Sequence, residues 1–176
     1  MTIRRSRALQ SLMSMYFHLR AVPPPALRNS ATWFQRLFED DWDTVRERIG
    51  RHREEVLDRQ YAEFELLYSG IPPNRTPDGP GTQVVLGGRP VFPTDSALPP
   101  FQLLTASQVT GVAGFLKAAD FDDLWRHARV RLLQPYDVPD PEPQVRGLFA
   151  ATHRDLTAFY VRTAEYGDAV VKWLVR

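Results

Sequence analysis

Hydrophobic and polar residues alternate along residues 15–22, near the start of the chain. Successive side chains of a β-strand point to opposite faces, so this alternation predicts a strand with one apolar and one polar face. The apolar face would carry Met15, Phe17, Leu19 and Ala21. The polar face would carry Tyr16, His18 and Arg20. The prolines at 23–25 cannot pair in a sheet but fit a helix start, so they predict the end of this strand.

The end of the chain carries the clearest pattern. Residues 152–166 repeat apolar positions at helical spacing, and Gly167 is typical of the residue that ends a helix. Residues 168–175 then combine Ala, Val and Leu with Trp173, a composition typical of buried strands. We therefore expect a closing helix from about Thr152 and a final strand around which the rest of the chain is organised.

Helical spacing dominates the first half of the chain after the first strand. It predicts helices over 25–39, from Asp41 to about Val56, and from Asp58 to Gly70. Gly50 would weaken the second helix and permits a break there. Gly70 is expected to end the third helix in the left-handed conformation.

Short β-rich runs and capping signals follow in the second half. Strands are predicted over 82–86, over 101–104 and, more briefly, at 91–92. Thr105 and Gln108 have the spacing of a capping box, and Asp120 can cap the next helix. The inner positions of these two helices would be Val109, Val112, Ala113, Leu116, Phe121, Leu124, Trp125 and Ala128. Proline-rich loops are expected over 71–81, 93–100 and 134–143.

This order predicts one α+β domain over residues 13–176, because helices and strands are grouped along the chain and do not alternate strictly. We expect a small mixed sheet of about four short strands packed with five to six helices. Residues 1–12, with Arg4, Arg5 and Arg7, are expected to form a flexible basic tail. Met1, Met13 and Met15 are each a possible start.

Composition narrows the functional classes. The chain has 176 residues, no Cys and a net charge of +1, with charged residues at 24%. The lack of Cys excludes disulfides and thiolate chemistry, and a cytoplasmic location is the default expectation. No apolar run approaches the roughly 18 residues that a membrane span needs. Nucleic-acid binding is unexpected, because beyond the tail's three arginines no strongly basic region is present.

Motifs for catalysis, metals and cofactors are missing from the sequence. The glycines at 79, 81, 87 and 88 lack the following Lys of a phosphate loop and fit turns. The four histidines are scattered, and the acidic cluster at 120–123 fits helix capping better than calcium binding. No nucleophile motif is present. We therefore predict no metal, no cofactor and no catalytic residue.

The polar face of the first strand is the best candidate site. Tyr16, His18 and Arg20 would stand side by side, and His and Arg together suit a carboxylate or phosphate. The alternative is an ordinary sheet face, either solvated or covered by a helix. The same two alternatives, a binding site or an ordinary core position, apply to Lys172 and Trp173 on the final strand.

Several stretches together resemble the YfbM-like family of bacterial proteins, domain of unknown function 1877. The resemblance begins with Tyr16-Phe17-His18-Leu19-Arg20 and includes Val84-Val85-Leu86-Gly87-Gly88. The other stretches are residues 13–15, 57–59, 66–70, 103–105, 158–160, 164–165 and 167–174. The resemblance implies an α+β fold and a cytoplasmic bacterial protein, and it carries no established activity.

One departure from the family pattern concerns the helix after residue 58. The resemblance implies a Trp-His step and a further His there, but this chain has Tyr61, Ala62 and Glu65. Any ligand or metal that those imidazoles bind in relatives would lose these contacts here. Asp58 and Tyr61 remain candidate wall residues of a pocket shared with Tyr16, His18 and Arg20.

Two hypotheses follow from these observations. The first is a non-enzymatic binding or interaction protein with an unknown protein partner; an immunity-type protein that neutralises a toxin is one form of it. The second is an enzyme or a small-ligand or anion-binding protein that uses Tyr16, His18, Arg20, Asp58 and Tyr61 around one pocket. The second requires these side chains to converge within hydrogen-bonding distance.

Overall fold

The computed structural model describes residues 15–49, 51, 53–58, 60–70 and 78–175. The side chain of Asp58 and the expected N-terminal tail, residues 1–12, lie outside this description. The strands are β1 (Tyr16–Val22), β2 (Glu54–Asp58), β3 (Arg89–Val91), β4 (Phe101–Leu104) and β5 (Ala169–Val175). A 3-10 helix spans Pro24–Arg28. The α-helices are α1 (Ala31–Leu37), α2 (Trp42–Arg48), α3 (Tyr61–Ser69), α4 (Pro80–Gln83), α5 (Ala106–Ala118), α6 (Phe121–Leu133) and α7 (Glu142–Glu165).

The described strands form one sheet in the order β2-β1-β5-β4-β3. Every pair of neighbours is antiparallel, whereas a mixed sheet of about four strands was expected. The final strand lies in the centre and pairs with β1 along its whole length, from Ala169 opposite Val22 to Val175 opposite Tyr16. The predicted first and last strands and the α+β class are thus confirmed.

Each face of the sheet carries its own core. On one face, Phe17, Leu19 and Val170 pack with the inner sides of α3, α5, α6 and α7. On the other face, Val22, Val171 and Trp173 pack with the 3-10 helix, α1 and the loop before β4. The alternation in β1 and β5 follows from strand geometry, because neighbouring side chains point to opposite faces and therefore pack in different cores. The sheet is therefore buried on both sides.

Capping signals in the second half of the chain are confirmed. Thr105 and Gln108 form both hydrogen bonds of a capping box at the start of α5. The Asp120 carboxylate accepts a hydrogen bond from the Asp122 amide at the start of α6. Gly167 has a φ of 68°, the left-handed conformation expected of a glycine that ends a helix. These features depend on neighbouring residues only, so the sequence shows them directly.

The predicted helix from Asp41 to Val56 is wrong in its second half. Helix α2 ends at Arg48, and residues 54–58 form the edge strand β2, which pairs with β1. Pairing with β1 overrides the local helical spacing, since Leu57 lies opposite Phe17 and enters the core beside it.

The predicted strand over 82–86 is also wrong. This segment forms the short helix α4 and a turn, with Pro80 in the first turn of the helix. Val84 and Val85 are fully buried in that turn. The apolar residues that suggest a strand therefore pack in the core without pairing in the sheet. The carbonyl groups of Gln83 and Val84 accept hydrogen bonds from side chains instead.

Other boundaries also differ from those predicted. The predicted helix over 25–39 is divided into the 3-10 helix and α1, because Ser30 is extended and caps α1. Helix α7 begins at Glu142, ten residues before the predicted start, since Pro143 occupies its first turn, where proline is tolerated. Gly70 has a φ of −72°, so its predicted left-handed conformation is wrong. A side chain would clash at this position, because a Cβ added to Gly70 would lie 2.6 Å from the Leu66 carbonyl oxygen.

Lys172 joins the α4 segment, which is helix α4 together with the turn that follows it to Gly87, to the central strand. Its side chain is fully buried, and its Nζ donates hydrogen bonds to the carbonyl oxygens of Gln83 at 2.7 Å and Gly87 at 2.6 Å. Burial lowers the pKa of Lys172 to about 7, and the nearby charge of Glu65 opposes this change. A neutral amine still has two N–H groups, which suffice for both carbonyls.

This pKa predicts a specific pH dependence of stability. An unfolded lysine has a pKa near 10.5, so between pH 7 and 10.5 folding releases a proton from Lys172, and stability rises with pH. We expect the free energy of unfolding of the natural protein, minus that of the Lys172→Met variant, to increase by up to about 1.4 kcal/mol per pH unit in this window. Urea unfolding at several pH values measures this difference. An identical pH dependence in both proteins would contradict it.

Candidate functional site

The polar face of β1 forms an ionic cluster with β2. The register places Arg20 opposite Glu54, and the Arg20 Nε lies 2.8 Å from the Glu54 Oε1. Arg48, at the end of α2, donates from Nε to the Glu54 Oε2 at 3.2 Å and reaches Asp40 at 2.8 Å. The His18 Nε2 lies 3.5 Å from the Glu54 Oε2. Glu54 is therefore the centre of the cluster, which we call the Glu54 cluster.

Burial controls the protonation of this cluster. Burial alone would raise the pKa of Glu54, but the nearby His18 ring and the charges of Arg20 and Arg48 outweigh it and hold the pKa below its usual range. Burial lowers the pKa of His18, more than Glu54 raises it. At neutral pH, Glu54 is therefore an anion between two guanidinium groups, and His18 is neutral.

Helices cover this face of the sheet. His18 is fully buried, with its ring 5.0 Å from that of Phe38, and the Tyr16 ring lies 4.9 Å from that of Trp42. Arg20 also donates to the Leu37 carbonyl oxygen at the end of α1. The hydrogen-bonding groups of Arg20 are thus directed at protein atoms, which fits the helix-covered alternative for this face.

The five predicted site residues do not form one group. Tyr16, His18 and Arg20 lie together on the polar face. The Tyr61 ring stacks on Phe17 at 5.7 Å, which places it on the opposite, apolar face of β1. Asp58 pairs with Tyr16 in the sheet register, and its side chain lies outside the described part of the structure. Their binding role stays a prediction.

Sequence reasoning missed Glu54 and Arg48, the two residues that complete the cluster. The predicted helix from Asp41 to Val56 would hold Glu54 away from β1. Residues 54–57 read Glu-Glu-Val-Leu, without alternation of polar and apolar positions, so no local pattern marks them as a strand.

A different surface has the properties of a binding site. An open groove of about 540 Å³ lies between α5 and α7. Its apolar lining residues are Leu116, Ala119, Ala158 and Val161, and its polar ones are Lys117, His153, Arg154 and Thr157. Lys117 and Arg154 are exposed, and neither forms an ion pair with any residue in the described ranges. We call this surface the α5–α7 groove.

His153 reaches the groove from the inner side of α7. Its Nδ1 lies 2.8 Å from the Tyr68 hydroxyl. Burial raises the pKa of Tyr68 above its usual value, so this hydroxyl stays protonated. Burial lowers the pKa of His153, so the ring is neutral at neutral pH. His153 therefore gives the groove a neutral imidazole ring.

The α5–α7 groove can bind an anion that also carries apolar surface. Two cations lie on its rim, His153 adds a neutral imidazole ring, and no Asp or Glu among the described residues lines it. Sequence reasoning treated His153 as one of four scattered histidines. A signal was present, because His153 follows Phe149 by four residues and precedes Leu156 by three, which places it on the buried stripe of α7.

Two further properties of the described residues bear on function. No helix among them is both long and apolar enough to cross a membrane. Within the same ranges, no group of three or more His, Asp or Glu side chains is arranged to hold a metal ion.

The Glu54 cluster predicts a loss of stability when its charge is removed. We expect Glu54→Gln to lower the free energy of unfolding by about 2 kcal/mol at pH 7, because the partly buried guanidinium groups of Arg20 and Arg48 lose the charge of the carboxylate between them. The folded-state pKa of Glu54 lies below the unfolded value of 4.5, so this contribution is present above that pH and disappears as the pH falls through the folded pKa.

Chemical denaturation at pH 7 and at about pH 3 measures both effects. Asp43→Asn is the matched control, because it makes the same chemical change at an exposed pair with Arg46. Its expected effect is below about 0.5 kcal/mol. Equal effects of Glu54→Gln and Asp43→Asn would show that the cluster does not stabilise the fold.

Comparisons with known proteins agree with this fold. A family described as "Domain of unknown function (DUF1877)" matches residues 13–173. The structure is similar to that of YfbM from Escherichia coli, a protein of unknown function, with a TM-score of 0.58 and 13% sequence identity. The match covers 91% of this chain and 99% of that one. No curated protein matches the chain. With nearly its whole length matched, the chain belongs to the DUF1877 family, whose function is unknown.

Proposed function

We propose that this protein is a non-enzymatic binding protein whose α5–α7 groove holds a segment of a partner protein that bears both acidic and apolar side chains. The observation that carries this proposal is the pair of unpaired cations, Lys117 and Arg154, beside an apolar floor. Other described arginines form ion pairs with carboxylates of the protein, as Arg48, Arg129 and Arg146 do. Lys117 and Arg154 remain available to an external carboxylate.

The chemistry of the groove supports a peptide segment more than a small molecule. Small-molecule sites are usually concave and enclose most of their ligand, whereas open grooves commonly accept an amphipathic helix. Ala119, Ala158 and Val161 would contact its apolar side chains. Lys117 and Arg154 on the rim would pair with its carboxylates, and such rim charges favour the correct partner and speed association.

The placement of groups with shifted pKa values supports binding over catalysis. Catalytic acids and bases usually combine a shifted pKa with access to a substrate. Lys172 and Tyr160 have shifted pKa values but are fully buried and hydrogen bonded to backbone carbonyls. Burial also raises the pKa of Glu55 to about 7, and its side chain is buried too. His153 also has a shifted pKa and does line the groove, where it offers a neutral imidazole ring.

The alternative, a small-ligand or anion site on the polar face of β1, has less support. His18 is fully buried, and Arg20 already binds Glu54 and Leu37. A ligand there would have to displace part of the Glu54 cluster. An immunity-type role is one form of the binding function, and for it the groove would face the toxin.

The proposal is tested with a model peptide of about 18 residues that carries Leu at helical spacing and Glu beside it. We expect saturable shifts of backbone NMR signals confined to residues around 116–119 and 153–161. The double variant Lys117→Glu/Arg154→Glu should weaken binding at least about tenfold, since attraction becomes repulsion at both rim positions. A peptide with Lys in place of Glu should not bind.

The matched control is Arg36→Glu/Arg131→Glu, which changes the net charge equally at two exposed arginines outside the groove lining. This control should bind the acidic peptide like the natural protein, apart from a small general charge effect. Equal weakening by both double variants, or signal shifts elsewhere on the surface, would refute the groove as the binding site.

A further inference from the structure

A second pocket lies at the other end of α5 from the groove. It measures about 360 Å³ and lies where the 3-10 helix approaches the edge formed by β3 and β4. Arg28, at the end of the 3-10 helix, and Arg89, in β3, line it together with Leu27 and Leu103. The groove instead uses Leu116 and Lys117 at the end of α5. The two surfaces therefore share no lining residue.

Both arginines are exposed, and neither forms an ion pair with any described residue. Arg89 donates one hydrogen bond from Nη2 to the Leu27 carbonyl oxygen at 3.3 Å, which orients its guanidinium group beside the pocket. A guanidinium has five N–H donors, so most of those of Arg89 remain unused. No Asp or Glu in the described part of the chain lines the pocket to neutralise this pair of charges.

The rest of the lining is uncharged. Thr105 and Gln108 bind each other's backbone amides in the capping box, so their oxygen atoms are already used as acceptors. Leu27 and Pro24 supply apolar surface, and Leu103 is itself buried. The pocket volume lies within the range of about 300–1,000 Å³ that is usual for small-molecule sites.

We propose that this pocket binds a small organic anion, a carboxylate or phosphate ester with an apolar group attached. Arg28 and Arg89 hold the oxyanion, because the planar guanidinium fork matches the spacing of carboxylate and phosphate oxygens. Leu27 and Pro24 contact the apolar group. This binding site is independent of the partner-binding function proposed for the α5–α7 groove.

The test uses phenyl phosphate and benzoate as probes, with inorganic phosphate as the probe that lacks an apolar group. Calorimetry should show saturable binding of at least one of the two organic probes with a dissociation constant in the millimolar range or tighter. The side-chain Nε–H NMR signals of Arg28 and Arg89 should shift on its addition. Inorganic phosphate should bind at least about tenfold more weakly, since it makes no apolar contact.

Charge-matched variants locate the site. Arg28→Gln and Arg89→Gln should each weaken binding at least about tenfold, whereas Arg36→Gln, an exposed arginine outside the pocket, should not. Arg89→Lys keeps the charge but loses the fork, and it should also weaken binding. Should Arg89→Gln disturb the fold, Arg28→Gln decides the question, because the Arg28 side chain is exposed and makes no described hydrogen bond.

The proposal is overturned by any of three results. The first is no saturable binding of either organic probe. The second is equal weakening by Arg36→Gln, which would indicate general attraction of anions. The third is binding that Arg28→Gln leaves unchanged.

Discussion

The pairing of β5 with β1 is the interaction on which the rest of the structure depends. It joins the two ends of the described chain along seven residue pairs, from Tyr16 with Val175 to Val22 with Ala169. Because β5 is central, its alternate side chains reach both cores, with Val170 on one face and Trp173 on the other. Lys172 then fixes the α4 segment to this strand through two backbone carbonyls. Without this strand, both cores would lose the buried side chains that it contributes to them.

Some charged side chains are paired within the protein, and others lie on open surfaces where they are available to a ligand. Glu54 sits between Arg20 and Arg48, and the Glu65 carboxylate accepts hydrogen bonds from Ser69 and the Leu86 amide. Such buried charges must be compensated by the protein itself, because they have lost their hydration. Lys117 and Arg154 line one open surface at the ends of α5, Arg28 and Arg89 line the other, and none of the four forms an ion pair with a described residue. Binding capacity is therefore expected there, where no internal partner uses the charge.

Local signals were sufficient for part of this structure. The alternation in β1, the composition of β5 and the capping box at Thr105 each depend on residues close in sequence, and all were predicted correctly. Strand β2 and the α4 turn depend on contacts with distant elements: Glu54 pairs with Arg20, and Lys172 bonds to Gln83. The groove likewise joins Lys117 to Arg154, and no pattern within either helix relates those positions. Tertiary contacts decided these features.

The most direct test of the account is site-specific photo-crosslinking in host cells. A photoreactive residue placed at Val161 lies in the α5–α7 groove, and one placed at Tyr16 lies on the helix-covered face of β1. The account predicts that a partner protein is crosslinked from position 161, that Lys117→Glu/Arg154→Glu abolishes this product, and that position 16 gives none. A product from position 16 alone would contradict the account and return the function to the polar face of the first strand.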